Sequence, residues 1–582
     1  MSTNFDGLVL GAYKDGSLSE SASKEISNNV QQSIKQQLQC AGVEGNLGEV
    51  RVLYGIGKED GLPSKIAVVS LGTKSESLKD SLNKARFAAA AGVRTLRDQG
   101  AKNIAIDVMT SEHGASEGAT LGLYKPDNLK SIQNQKEPVK ISPFGSSSPP
   151  SQDFTWETGL IYADAQNFAR TLGNSPANYM TPTIFTENVK SFLRDLPKIE
   201  IIIRDEEWAK EKKMGSFLSV GRGSDEPSKF LEIHYKGGKE GDKPLALVGK
   251  GVTFDSGGIS LKPSANMSEM KIDMGGGAAV SAALYGIAKL ELPINVVVTV
   301  PLCENLPSGN ATKPGDIVVA MNGKSIEVND TDAEGRLILA DALYYTSSTF
   351  KPHSLIDIAT LTGAMMVALG TDKYSGVFSN SDKLWEELFE SGKITNDHFW
   401  RMPLDDFYKK AMTKSDVADY INYDGSKYGG ACTAAIFLKE FVYGLSDEGT
   451  VGKNITSIDK ENKDNVIEGN IIDKDADEIN KIRYAHIDIA GIMDNSEDSC
   501  CDVKGATGRP TRSIIEVARR RKPDYLVFFS PGNFFTLISF PAFLQLYISI
   551  RRLALFILSF ATAKEVPDVI DGVGVGLANF ST

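Results

Sequence analysis

Four short apolar runs constrain this chain most: 245–248, 294–300, 354–358 and 484–489. Each is too short for a buried helix and is rich in residues that suit strands. Between them lie stretches with helical spacing, 278–290 and 337–346. Strands apolar on both faces, alternating with helices, specify an α/β fold with a mostly parallel sheet covered by helices. The first 150 residues repeat this on a smaller scale. They hold strand-like runs at 50–54, 64–71 and 104–108 and a helical stretch at 78–96.

At 582 residues one core does not suffice. The expected order is an N-terminal α/β domain, 1–150; a linker helix and connector, 151–180; and a larger C-terminal α/β domain, 181–522. The stretch 124–153 contains Ser146-Ser147-Ser148-Pro149-Pro150 and reads as a linker or long surface loop. Residues 446–481 are polar and charged without an apolar period, and read as a disordered insertion. After Lys522 the composition changes, and 523–582 form an atypical apolar tail. Its 533–550 portion is uncharged and just long enough for a membrane helix. Pro541 and Arg551-Arg552 interrupt the 533–563 stretch, so membrane contact there is not expected.

The net charge of −12 gives no general attraction for phosphate backbones, which argues against nucleic acid as a partner. Five cysteines in this length fit a reducing compartment, and the adjacent Cys500-Cys501 read as free thiols. The opening residues carry Asp6, Lys14 and Asp15 with no long apolar run, so no secretory signal is expected.

Ligands of open α/β sheets collect outside the carboxyl ends of strands. Lys250 follows the first run, 360–363 the third and 490–493 the fourth, so three distant segments are expected around one crevice. The polar residues expected there are unusual. Asp332 and Glu334 are two apart, a spacing that in extended backbone points both to one side. Crowded carboxylates disfavour joint ionisation unless a cation lies between them. Asp255 and Asp273 add oxygens, and one or two divalent metals resolve the conflict. Two metals can share a bridging water, lower its pKa and polarise a carbonyl under attack. Lys250 can join such a set only as a neutral amine, which requires a depressed pKa. Lys262 could polarise a substrate carbonyl or stabilise an oxyanion. Arg336 could hold an anion or a proton-relaying water. Gly257-Gly258 and Gly275-Gly276-Gly277 let the backbone approach closely and turn beside the ligands.

Together these segments resemble the leucyl aminopeptidase family, cytosolic dizinc peptidases. The resemblance rests on Lys250-Gly251-Val252-Thr253-Phe254-Asp255-Ser256-Gly257-Gly258, on Met270-Lys271-Ile272-Asp273-Met274-Gly275-Gly276 and on Thr331-Asp332-Ala333-Glu334-Gly335-Arg336-Leu337. Segments 174–182 and 507–512 are also family-like. The resemblance implies a metal-dependent aminopeptidase that releases N-terminal residues, leucine among them, from peptides. It implies a tight metal site of Lys250, Asp255, Asp273 and Glu334, and an exchangeable one of Asp255, Asp332 and Glu334. Lys262 is implied as the electrophile on the scissile carbonyl, and Arg336 as the holder of a bicarbonate that shuttles protons. Met270, Thr360, Gly363, Ala490 and Met493 are implied as walls of the pocket for the N-terminal side chain, and the Leu361 carbonyl as a substrate acceptor. A cytoplasmic homohexamer is implied, with the N-terminal domain serving assembly. Zinc comes from the resemblance alone. An oxygen and amine site suits Mn²⁺ and Mg²⁺ as well.

Departures exist. Asp330 stands where the family has asparagine, and 446–481 and the tail have no family counterpart. They admit a second reading, a catalytically weak member acting as a structural or binding hexamer. Hydrolysis of a leucine amide with added metal separates the two. The remaining candidates have plain readings. None of the five histidines has a metal-ligand partner at helical or hairpin spacing, and His486 in an apolar strand reads as a hydrogen-bonded core residue. Cys432 reads as a small buried hydrophobe. The acidic run 473–478 lacks the glycine and terminal glutamate of a calcium loop.

Overall fold

The computed structural model describes residues 5–42, 44–75, 77–146, 153–445, 481–499, 501–521, 525–527 and 537–539. The chain divides into two compact units, Met1–Arg520 and Arg521–Thr582. The described residues of the second unit pair Tyr525–Val527 with Leu537–Ser539 in an antiparallel ladder. The expected insertion, apart from Lys481, and nearly all of the 533–563 stretch lie outside the described residues. Among the described residues no helix is long and apolar enough to cross a membrane.

The first unit is built on two large sheets. The N-terminal sheet contains β1 (Gly7–Ala12), β2 (Val50–Tyr54), β3 (Lys65–Ser70), β4 (Asn103–Asp107) and β5 (Lys140–Phe144), in the order β2-β3-β1-β4-β5. Only β2 runs antiparallel to its neighbour. The central strand β1, buried throughout, lies in a segment read from sequence only for the absence of a signal. The stretch expected as a linker or surface loop contributes β5. Its mostly exposed side chains hide it from an apolar-run search, and Pro143 is tolerated because β5 is an edge strand. The Leu78–Asp98 helix, capped by Ser77, packs against Glu112–Leu123. Gly114 and Gly118 permit that approach, since a Cβ on Gly118 would lie 1.9 Å from the Arg86 carbonyl oxygen.

The larger sheet follows the order β15-β14-β17-β13-β8-β10-β7-β6. Its strands are β6 (Ile199–Arg204), β7 (Lys229–Lys236), β8 (Leu245–Gly249), β9 (Gly251–Asp255), β10 (Asn295–Asn305), β13 (Ser354–Ala359), β14 (Tyr374–Ser379), β15 (His398–Met402) and β17 (Arg483–Asp488), with β9 pairing with β10. A separate small sheet joins β11 (Asp316–Val319), β12 (Ser325–Val328) and β16 (Tyr420–Ile421). The centre β17-β13-β8-β10 is parallel. Antiparallel β7 and β14 flank it. Alternate side chains of β8 enter two different cores. Leu245 and Leu247 pack with the Gly275–Lys289 helix on one face, whereas Ala246 and Val248 pack with the Gly335–Phe350 helix on the other. Burial on both faces explains why β8 reads as a continuous apolar run.

The Trp156–Asn174 helix, capped by Thr155, packs against both Glu112–Leu123 and Gly275–Lys289. It thus lies between the N-terminal sheet's helices and those of the larger sheet. Its buried Arg170 donates to the carbonyls of Leu121 and Thr507, at 3.2 and 3.1 Å.

Candidate metal centre

Lys250 leaves the end of β8 because the helix N-terminus is pressed against that strand. The Gly277 N–H donates to the Lys250 carbonyl at 2.7 Å, and the Lys250 N–H donates to Ile358 at 3.0 Å. A Cβ on Gly276 would meet the Ile358 oxygen at 1.9 Å. The glycine run 275–277 is therefore the first turn of a helix, not the sharp turn expected from sequence. Its close backbone approach is as anticipated. The turn expected at Gly257 and Gly258 is present, with φ of 89° and 68°. There the Gly257 N–H donates to Asp255 Oδ1 at 2.9 Å.

Asp332 and Glu334 are not on extended backbone. Asp332 lies in a turn, and Glu334, with φ −78° and ψ −35°, is the residue preceding the Gly335–Phe350 helix. Tertiary packing, rather than strand alternation, brings them together. Asn422, at the end of β16, braces the turn. Its Oδ1 accepts from the Asn329 N–H at 2.8 Å, and its Nδ2 donates to the Asp330 carbonyl at 2.6 Å.

The four carboxylates and two lysines meet at one end of the sheet. Oxygens of buried Asp255, Asp273 and Glu334 lie within 4.8 Å of one another. Lys250 Nζ is 2.7 Å from Asp273 and 2.7 Å from Glu334. Lys262 Nζ is 2.8 Å from Asp255 and also pairs with Asp332. Thr360 Oγ1 donates to Asp273 at 2.7 Å, and Asn305 Nδ2 donates to Asp255 at 2.8 Å. These six charged groups line a cavity of about 210 Å³. Met270, Thr360, Leu361, Gly363, Ala490 and Met493 line the same cavity, together with Thr362 and Met366.

Of the catalytic, metal and substrate residues expected from the sequence, Arg336 alone is absent from this lining. It is buried, and Nη1 donates to the Asn422 carbonyl at 2.6 Å. Its buried Nε has no hydrogen-bond partner among the described residues. Burial lowers its pKa, opposed by Glu334, Asp330 and Asp488. Asn305, Asn422 and Asp488 were not singled out. Their only signal is a polar residue at or just past a strand's carboxyl end.

The donor set fits a divalent cation. Four carboxyl groups and two lysines line the cavity, so full ionisation of all six would leave two negative charges uncompensated. Burial and then the Glu334 charge push Asp255 up. Burial pushes Asp273 well up, against the pull of Lys250. Asp332 is pushed up to about 7 by burial and the Asp255 charge. Buried acids held short of full ionisation are relieved by positive charge. The depressed pKa expected of Lys250 as a ligand depends on a neighbouring cation as well as on burial. Burial alone would lower its pKa, but Asp273, Glu334 and Asp255 outweigh burial and raise it. Among bare carboxylates it is the countercharge, and it can become a neutral donor only where a cation takes over that part.

A model of the cytosol aminopeptidase family's catalytic domain matches residues 167–515, and one of its N-terminal domain matches residues 9–133. This chain belongs to the cytosol aminopeptidase family. It is 41% identical to a cytosol aminopeptidase of Dictyostelium discoideum and 43% identical to one of Rattus norvegicus, each alignment covering 89% of this chain and 93% of the relative. Among solved structures it resembles a tomato leucine aminopeptidase variant, with 30% identity and a TM-score of 0.70 over 89% of this chain and 94% of that one. It also resembles the bottromycin maturation enzyme BotP in complex with Mn, with 29% identity and a TM-score of 0.70 over 88% and 99%. Cytosol aminopeptidase family members are metal-dependent, and the chain is a peptidase, a hydrolase of peptide bonds.

Proposed function

We propose that the cavity is the active site of an aminopeptidase that removes leucine and other N-terminal residues from peptides with two divalent cations. The observation that carries this is the meeting of Asp255, Asp273 and Glu334, with Lys250, Lys262 and Asp332 around them, in one cavity whose walls include Met270, Met366, Ala490 and Met493. Lys250, Asp255, Asp273 and Glu334 would hold the tighter cation, zinc by family likeness. Asp255, Asp332 and Glu334 would hold the exchangeable one, zinc, manganese or magnesium. Bound there, such cations lower the pKa of a water and polarise the scissile carbonyl.

The chain's own residues do the rest. Lys262, whose pKa falls on burial but is raised by Asp255 and Glu334 to remain an ammonium, places a positive charge where a carbonyl oxygen gains negative charge. The Leu361 carbonyl accepts from the substrate. Met270, Thr360, Gly363, Ala490 and Met493 enclose the N-terminal side chain. Arg336, with its unpartnered Nε, holds bicarbonate or a similar anion that passes protons. A cytoplasmic homohexamer is part of the same proposal, on the family's likeness. Asp330 gives no support to a catalytically weak reading. Its Oδ1 accepts from the Asp332 N–H at 2.9 Å, a bond that an asparagine makes equally well.

The test is hydrolysis of leucine amide by protein stripped of metal and then supplied with Zn²⁺ or Mn²⁺. Activity should return with metal and be lost in Glu334→Ala. Turnover in the stripped protein, or near wild-type kcat in that variant at limiting metal, would refute the assignment.

A further inference from the structure

The wall that carries Ala490 and Met493 is held from outside itself. Three successive carbonyls of this segment accept hydrogen bonds from other parts of the chain. The Asp372 N–H donates to Gly491 at 2.7 Å, Thr507 Oγ1 donates to Ile492 at 2.7 Å, and the Thr507 N–H donates to Met493 at 3.0 Å. Thr507 thus provides two of the three. It is buried and is not among the residues lining the cavity. Its own carbonyl accepts from Gln166 Nε2 at 2.7 Å and from Arg170 Nε at 3.1 Å, both buried on the Trp156–Asn174 helix. At the other end of the wall, Asp488 accepts from the N–H groups of Ala490 and Leu361, at 3.1 and 3.2 Å, and from Thr362 Oγ1 at 2.7 Å. Asp488 therefore joins the two walls at the strand ends, and Thr507 secures the far end of one.

We propose that Thr507 is a positioning residue for substrate specificity. By fixing Ile492 and Met493 against the Trp156–Asn174 helix, it sets the width of the cavity and so the N-terminal side chains admitted. This rests on the reading of the cavity as the pocket for that side chain. The physical reason is the tightness of packed interiors. A wall displaced by the thickness of a methylene changes discrimination between side chains by about 10- to 200-fold. Without Oγ1 the Ile492 carbonyl loses a buried donor, and the wall can relax toward a new one.

Thr507→Val keeps the side chain's shape and the hydrogen bonds of the Thr507 backbone; it removes the hydroxyl, and with it both the bond to Ile492 and the one that the Arg509 N–H donates to Oγ1 at 3.1 Å. Thr507→Ser keeps the hydroxyl. The experiment measures kcat and KM of the full-length, Mn²⁺-loaded protein on alanine, leucine and phenylalanine amides, with Met493→Ala as a direct change to the wall. Thr507→Val should lose about tenfold of the leucine-over-alanine preference through KM, with kcat within about twofold, and Thr507→Ser should restore it. If Met493→Ala shifts the preference and Thr507→Val does not, the proposal is wrong and the pocket reading stands. A loss equal for all three amides, or one that serine does not rescue, marks a structural role and also overturns it. If neither variant moves the preference, the pocket reading fails and takes the proposal with it.

Discussion

At the scale of single residues, space around Lys250 is set by a glycine. A Cβ on Gly335 would lie 2.6 Å from Lys250 Cε and 2.8 Å from its Nζ. The lysine tip is flexible in principle, but here it is buried and held by Asp273, Glu334 and the Thr360 carbonyl. Gly335→Ala should therefore displace the amine from the carboxylates without opening the core. Metal affinity or activity should fall about 10- to 100-fold, with little change in melting temperature. Metal titration beside a thermal melt checks this, and unchanged affinity would mean that Lys250 is not needed in place. Lys262 supports a second expectation. Lys262→Ala should lower kcat by about 10²- to 10³-fold and leave KM nearly unchanged, because an ammonium facing a developing oxyanion acts mainly in the transition state. Steady-state kinetics on leucine amide decides it, and an effect confined to KM assigns Lys262 to ground-state binding.

At the scale of elements, Glu117 on the Glu112–Leu123 helix lies between two arginines. It is 2.7 Å from Arg86 and pairs with Arg512 on the Thr511–Arg520 helix. All three are buried. Burial would raise the Glu117 carboxyl, but Arg86 and Arg512 outweigh it and hold it well below the usual carboxylate range. A lowered carboxylate pKa stabilises the fold above the unfolded value, and that contribution is lost as pH falls through the folded value. Glu117→Gln should cost about 3–5 kcal/mol at neutral pH, and the difference from wild type should shrink in acid. Urea unfolding at a series of pH values measures both. A difference that is constant with pH would show that the charge does not matter. The same scale explains what could be read in advance. β8, β10, β13 and β17 were legible because burial on both faces leaves predominantly apolar runs, broken in β13 by Asp357 and in β17 by His486 and Asp488. β5 was not, because an exposed edge strand carries no such run. The acids of the candidate site were legible because four carboxylates among glycines have no ordinary buried use. Asn305, Asn422 and Asp488 were not, since the partners of each come from distant segments, and Thr507 lay in a family-like segment that gave no sign of what it holds.

At the scale of the molecule, every residue assigned to the site lies outside 446–480 and 523–582. The elements that position the site also lie outside these segments. β17 begins at Arg483 and pairs with β13 over six residues, so its register is set after residue 480. The Thr511–Arg520 helix ends before Lys522 and packs on the Gly275–Lys289 and Asp382–Thr395 helices. Among the described residues, a break between Leu445 and Lys481 therefore cuts no ladder that carries a residue of the candidate site. Closing it with a short flexible linker changes loop entropy only slowly with length. The composition of 446–480 is too polar to supply a core, and the apolar 533–563 stretch is an aggregation hazard where it faces water. A chain ending at Lys522, with 446–480 replaced by a Gly/Ser linker, should fold, keep kcat/KM on leucine amide within about twofold and resist aggregation better than the full chain. Size-exclusion chromatography and kinetics on the two proteins side by side provide the measurement. Loss of activity or of folding in the shortened chain would make these segments integral to the fold and place a determinant of the site outside the residues named here.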